Sequence, residues 1–209
     1  MPIPIFLVVC SCTYIIPVVV GLARFRKLTF PMKILGVLTI FALTEIAISV
    51  YVARMNIRNY FVTNYTEAAE VSLILAVYYA SAVSRKQKLI LVLLGISFFV
   101  VWLGYMALYY DPNEFGGAMP ITDRLFMILG SIVAMQSLVT DSTARLFEQS
   151  LFWMIFAVIL DAPGSLIGIG LFDRMLKDNY WLMYVVYHIN WSLDIATNLL
   201  YSKALLCKF

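Results

Sequence analysis

The sequence is poor in the groups on which most soluble chemistry depends. It contains a single histidine, His188, which excludes the histidine clusters that hold a catalytic metal in seven-helix hydrolases. Its three cysteines, Cys10, Cys12 and Cys207, provide no disulfide framework. Cys10 and Cys12 lie on an apolar helix and read as small core residues; Cys207 reads as a lone thiol. Only 13% of the residues are charged, whereas soluble domains carry roughly a quarter. No glycine-rich phosphate loop, CxxC or HExxH is present. The one lysine of the last apolar stretch, Lys203, lies at its end, so the mid-helix lysine of a retinal Schiff base is missing too. No metal site and no cofactor is implied. The formal charge of +3 does not indicate a nucleic-acid partner, because the basic residues sort by membrane side.

Apolar residues are abundant instead: 63% of 209 positions, with a mean hydropathy of +0.90. They fall into seven segments near 3–22, 33–54, 64–84, 89–110, 121–140, 151–172 and 180–203. Each is close to the 20 or so residues that a spanning helix needs, at about 1.5 Å per residue. The reading is an all-α, polytopic membrane protein, a single heptahelical transmembrane domain over residues 1–209. The first segment has no Lys or Arg before it and no small-residue cleavage site, so it reads as a spanning helix rather than a signal peptide. Short loops predict that sequential helices are antiparallel neighbours. Pro31 punctuates the first loop. The longest connection, DPNEFGGAMPITDR, has Asp-Pro, Gly-Gly and Met-Pro as breakers. No internal repeat points to an inverted-repeat transporter.

Lys and Arg divide unequally between the two sides. Loops one, three and five with the C-terminus carry ten, and the N-terminus with loops two, four and six carries five. Because cytoplasmic loops hold the excess, the N-terminus is expected outside and the C-terminus inside. Outer-end aromatics such as Tyr51, Tyr65, Tyr109 and Trp181 read as an interfacial belt.

The last segment, Tyr180–Tyr201, combines spanning length with many polar side chains. Asn190, Asp194, Thr197, Asn198 and Tyr201 share a stripe roughly 80–100° wide, and His188 lies roughly 130° from its centre. Lipid does not tolerate such groups, so this helix is expected at the centre of a bundle, where other polar groups converge on it. Glu45 sits mid-way along segment two. Glu67 and Glu70 share a face of segment three, close enough to its outer end to pair with Arg54 or Arg58. Asp161 lies in segment six, two residues before Pro163, on a face that includes Gly164 and Gly168 at the spacing of close helix packing. Five carboxyls thus lie within spanning segments, and the basic groups read near that depth are His188 and Arg54. Buried carboxylates must be paired, protonated or matched by a cationic ligand. Asp161 and Asp194 are expected to approach each other, with one of them protonated.

RFRKLTFPMKIL at Arg24–Leu35, Glu45, the Tyr65/Glu67/Glu70 neighbourhood, SLFW at Ser150–Trp153 and NLLYSKALLC at Asn198–Cys207 carry a resemblance over most of the chain. The sequence is similar to a family of uncharacterised seven-helix integral membrane proteins common in Bacteroidota. The resemblance implies that fold and a multi-pass location in a bacterial cytoplasmic (inner) membrane, and it implies no activity. The chain departs from the family pattern at Asp161 and Pro163.

Three functions compete. The first is binding of a small solute or cation, for transport or ligand sensing, at a site drawn from Glu45, Glu67, Glu70, Asp161, His188, Asn190, Asp194 and Asn198 on segments two, three, six and seven. The second is a lipid-directed hydrolase using the Asp161–Asp194 pair with His188 nearby. The third is an accessory subunit that packs its small-residue faces on another membrane protein. Membrane lipids are the partner common to all three.

Overall fold

A computed structural model describes residues 5–55, 60–109, 118–140, 146–178 and 180–207. Among these the chain is helical throughout: α1 (Ile5–Thr13), α2 (Ile15–Arg24), α3 (Phe30–Arg54), α4 (Tyr60–Ser81), α5 (Arg85–Leu108), α6 (Ala118–Thr140), α7 (Ser150–Asp178) and α8 (Tyr180–Leu206). Short 3-10 turns at Phe25–Lys27 and Leu146–Glu148 precede α3 and α7. The pair α1 and α2 is one apolar segment interrupted at Tyr14. Pro17 accounts for the break, since it has no N–H for the Thr13 carbonyl and its ring crowds that oxygen. The Thr13 hydroxyl turns back to the Cys10 carbonyl at 2.7 Å. Eight α-helices therefore make seven helical segments among the described residues.

Five of the seven are long and apolar enough to cross a membrane: Val8–Lys27, Phe30–Val52, Arg85–Leu108, Met119–Val139 and Ser150–Ile167. The other two segments, α4 and α8, hold Glu67, Glu70, Asn190, Asp194 and Asn198 between them.

Two prolines read from the sequence as loop breakers are in fact helical. Pro31 lies in the first turn of α3 and Pro120 in the first turn of α6. The missing N–H has no intrahelical acceptor there, so proline costs nothing and its fixed φ favours the helix. Likewise α7 runs on to Asp178, past the expected end near 172. Pro163 falls within it on an exposed face.

The packing forms a ring with one helix outside it. Going round, α2 packs on α3, α3 on α4, α4 on α6, α6 on α7, α7 on α8, and α8 returns to α1 and α2. Sequential neighbours do touch, as short loops require, but α4 meets α6 directly and leaves α5 against their outer side. The composition of α5 explains this place. Leu91 and Phe98 are buried against its neighbours, while Leu93, Ile96, Val100 and Leu103 are exposed, so the helix is apolar all round and suits a lipid-facing position.

Small residues allow the ring to close tightly. A Cβ on Gly130 would come within 2.7 Å of Leu75 Cδ2, and one on Gly164 would overlap the Leu193 side chain. These contacts seat α6 on α4 and α7 on α8 by backbone approach, the van der Waals packing on which helices in lipid depend. Gly168 lies outside the described side chains. Polar ties add register: Tyr78 Oη and Ser131 Oγ are 2.8 Å apart in the α4–α6 interface, and Trp102 Nε1 donates to the Asn64 carbonyl at 3.3 Å between α5 and α4. Ser84 and Gln87 form a capping box that starts α5. Arg24, at the end of α2, donates to the Leu205 carbonyl at 3.0 Å and to that of Leu206, closing the C-terminus of α8.

Candidate functional site

On the axis of the ring lies a cavity of about 150 Å³. Every ring segment contributes to its wall: Tyr14 from the α1–α2 junction, Glu45 from α3, Glu67 and Glu70 from α4, Arg124 from α6, Asp161 from α7, and Asp194 and Asn198 from α8. Helix α5 supplies none of the described lining. The five carboxyls singled out in the sequence thus converge, because each sits on the polar stripe of a helix whose other faces meet neighbours or the outside. Thr197 and Tyr201 of the α8 stripe join them. The site expected on segments two, three, six and seven extends to segments one and five.

Arg124 is the group that sequence reasoning missed. By sequence it falls in loop four, at the end of the turn-rich DPNEFGGAMPITDR stretch. The α6 helix, however, begins at Ala118, which puts Arg124 six residues, or roughly 9 Å, inside it. Its guanidinium nitrogen (NH1) lies 3.3 Å from Glu70 Oε2 and 3.6 Å from Asp161 Oδ2, bridging α4 and α7. A single nitrogen serves both acids, so the contact is a bridge rather than a two-pronged fork. For Glu70 the partner is Arg124 rather than the Arg54 or Arg58 that the sequence offered. Arg54 is exposed, Arg58 lies outside the described residues, and Arg124 takes Glu70. The signal that could have found it was Pro120, which marks a first turn as readily as a break.

The α1–α2 break brings further polar groups to α8. Cys10 Sγ lies 3.7 Å from Asp194 Oδ2, and Asn198 Nδ2 donates to Thr13 Oγ1 at 3.2 Å. Cys10 is a buried neighbour of the site, whereas Cys12 is exposed rather than in the core. Asp161 and Asp194 face the same cavity. None of the described hydrogen bonds joins them directly, and Asp161 has Arg124 as its partner.

A second unforeseen residue, Asp123, stands behind the wall. Wholly buried, it meets Glu67 across the α4–α6 interface. Glu45 in turn bonds to Thr66, tying α3 to α4 beside the cavity.

Two expected members do not line the cavity. The His188 Nδ1 atom is 2.8 Å from the Tyr184 carbonyl, one turn back on its own helix, and its ring packs between Tyr184 and Trp191. Asn190 stands apart as well, half-buried, with its Oδ1 atom enclosed. His188 lies on the side of α8 away from the Asp194 stripe, as its helical angle implies, whereas Asn190 is on the stripe one turn before Asp194 and outside the cavity lining. The carboxyl pair therefore lacks the imidazole that the hydrolase reading placed beside it.

Among the described residues, no three of His, Cys, Asp and Glu gather closely enough to hold a metal ion. No protein-family model, curated protein or solved structure matches the chain.

Proposed function

We propose that the chain is a seven-span protein of a bacterial inner membrane, N-terminus outside and C-terminus cytoplasmic, that binds a small cationic solute in its axial cavity for transport or ligand sensing. The imbalance of charge on the cavity wall carries this reading: five carboxyls face one guanidinium. A carboxylate inside a bundle costs several kcal/mol, about 2.5–3.5 on insertion scales, unless it is matched. One Arg124 cannot match five, so protons or a ligand must supply positive charge.

The absence of a metal-binding cluster among the described residues favours an organic ammonium over a bare metal ion. Aromatic side chains from Tyr14, Phe41 and Tyr201 border the same cavity, and aromatic rings attract such a cation. Size sets the class of ligand. A protein cavity of about 150 Å³ holds a molecule such as benzene, so a solute of about six heavy atoms fits. The basic-residue bias supports the orientation, and moving Arg124 from loop four into a helix sharpens it to ten against four.

Calorimetric titration of the purified chain with tetramethylammonium tests the site. Binding that weakens at least tenfold in Asp194→Asn is expected. An absence of binding to the parent protein, or equal binding to the variant, would remove this function.

A further inference from the structure

Glu67 and Asp123 bury two carboxyls in the α4–α6 interface that two carboxylates cannot occupy unaided. They are charge neighbours across the packed α4–α6 interface, and neither has a hydrogen to donate when ionised. Glu67 Oε2 and both Asp123 oxygens are enclosed and have no hydrogen-bond donor. Asp123 is 0% exposed and Glu67 8%, so bulk water does not satisfy them. One proton shared between them turns repulsion into a charge-assisted hydrogen bond.

The surroundings leave the pair dependent on that proton. Arg124 and Glu70 face both carboxyls, and Glu45 faces Glu67 from α3. Arg124 is already engaged with Glu70 and Asp161. Glu67 lies on the cavity wall and Asp123 behind it, so a proton leaving the pair reaches the cavity through Glu67.

We infer that Glu67 and Asp123 form a proton-holding pair that releases its proton when a cationic solute enters the cavity, which makes the site a proton–cation exchange site. This inference rests on the reading of the cavity as a cation site. The step balances: the solute brings one positive charge in, the O–H bond of the shared proton breaks, and that proton leaves on water. Both carboxyls are then ionised, Glu67 facing the solute. The net charge of the bundle interior stays constant, which avoids the cost of an unmatched buried charge. Linkage requires the converse as well, so protons must compete with the solute.

The test uses the full chain in detergent, in weakly buffered solution with a pH-indicator dye, and tetramethylammonium as a probe that cannot itself carry a proton. One proton released per cation bound is expected, accompanied by loss of a carboxylic-acid C=O band in infrared difference spectra. Asp123→Asn should still bind the probe and release no proton, since Asn donates a fixed hydrogen to Glu67. Glu67→Gln provides the same proton readout should Asp123→Asn not fold, and the parent protein's infrared band decides the matter without either. Binding without proton release or band loss overturns the exchange and leaves the cation site standing. Release that persists in the variants assigns the proton to another acid and also overturns it. No binding at all overturns both readings.

Discussion

Replacing Arg124 by glutamine removes the one guanidinium that the cavity acids share. Its contacts at 3.3 Å to Glu70 and 3.6 Å to Asp161 are each worth roughly 4–5 kcal/mol of Coulomb attraction at an effective dielectric of about 20. Desolvation offsets much of that gain. Removal of one partner is a different quantity, because it strands two largely enclosed carboxylates, and it costs up to about 3–5 kcal/mol. Protons limit the loss. At pH 7, protonating a carboxyl of ordinary pKa costs about 4 kcal/mol, but at pH 5 only about 1 kcal/mol. The folded variant then binds more protons than its unfolded chain, so its stability falls as pH rises. For a chain of this size the deficit at pH 7 corresponds to a Tm lower by on the order of 10 °C, shrinking to a few degrees by about pH 5. In a chain carrying Cys12→Ser and Cys207→Ser, a thiol-reactive dye reports the transition in detergent, because Cys10 is buried until the bundle opens. The double variant Arg124→Gln/Glu70→Gln should recover part of the loss, as coupled neighbours do. A single variant as stable as the parent at pH 7, with no dependence on pH, would refute the bridge as the electrostatic centre of the site.

Gly164→Leu should destabilise the bundle by about 1–3 kcal/mol through overlap with Leu193, and Leu193→Ala in the same chain should restore much of it; without that rescue the α7–α8 approach is not what glycine serves. Tyr78→Phe breaks the bond to Ser131, which keeps its own bond to the Met127 carbonyl, so a loss of about 1 kcal/mol in thermal unfolding is expected. His188→Phe should leave tetramethylammonium binding within about twofold of the parent, less than 0.5 kcal/mol, because the ring packs away from the cavity; a tenfold loss would return His188 to the site. Cysteines introduced in the first and third loops should resist membrane-impermeant thiol reagents added outside cells, and labelling there would reverse the proposed orientation.

The one-dimensional pattern carried the helices and much of the site. Apolar runs set the segments, and the Asp194–Thr197–Asn198–Tyr201 stripe and the Glu67–Glu70 face both point into the cavity as their spacing requires. A helical period is a local property, so it determines which residues of one helix look the same way. It also separated His188 from Asp194. What it could not determine is which stripes meet. Glu70 and Arg124, Glu67 and Asp123, and Tyr78 and Ser131 are each more than fifty residues apart, and each pair depends on α4 packing on α6 with α5 outside. That order follows from close backbone approach at Gly130 and Gly164 and from an α5 surface apolar all round, which are properties of packed surfaces. Helix boundaries were decided in the same way. Pro120 reads as a break in isolation and as a first turn once Met119 is buried against its neighbours, and that shift moves Arg124 from a loop into the centre of the acids.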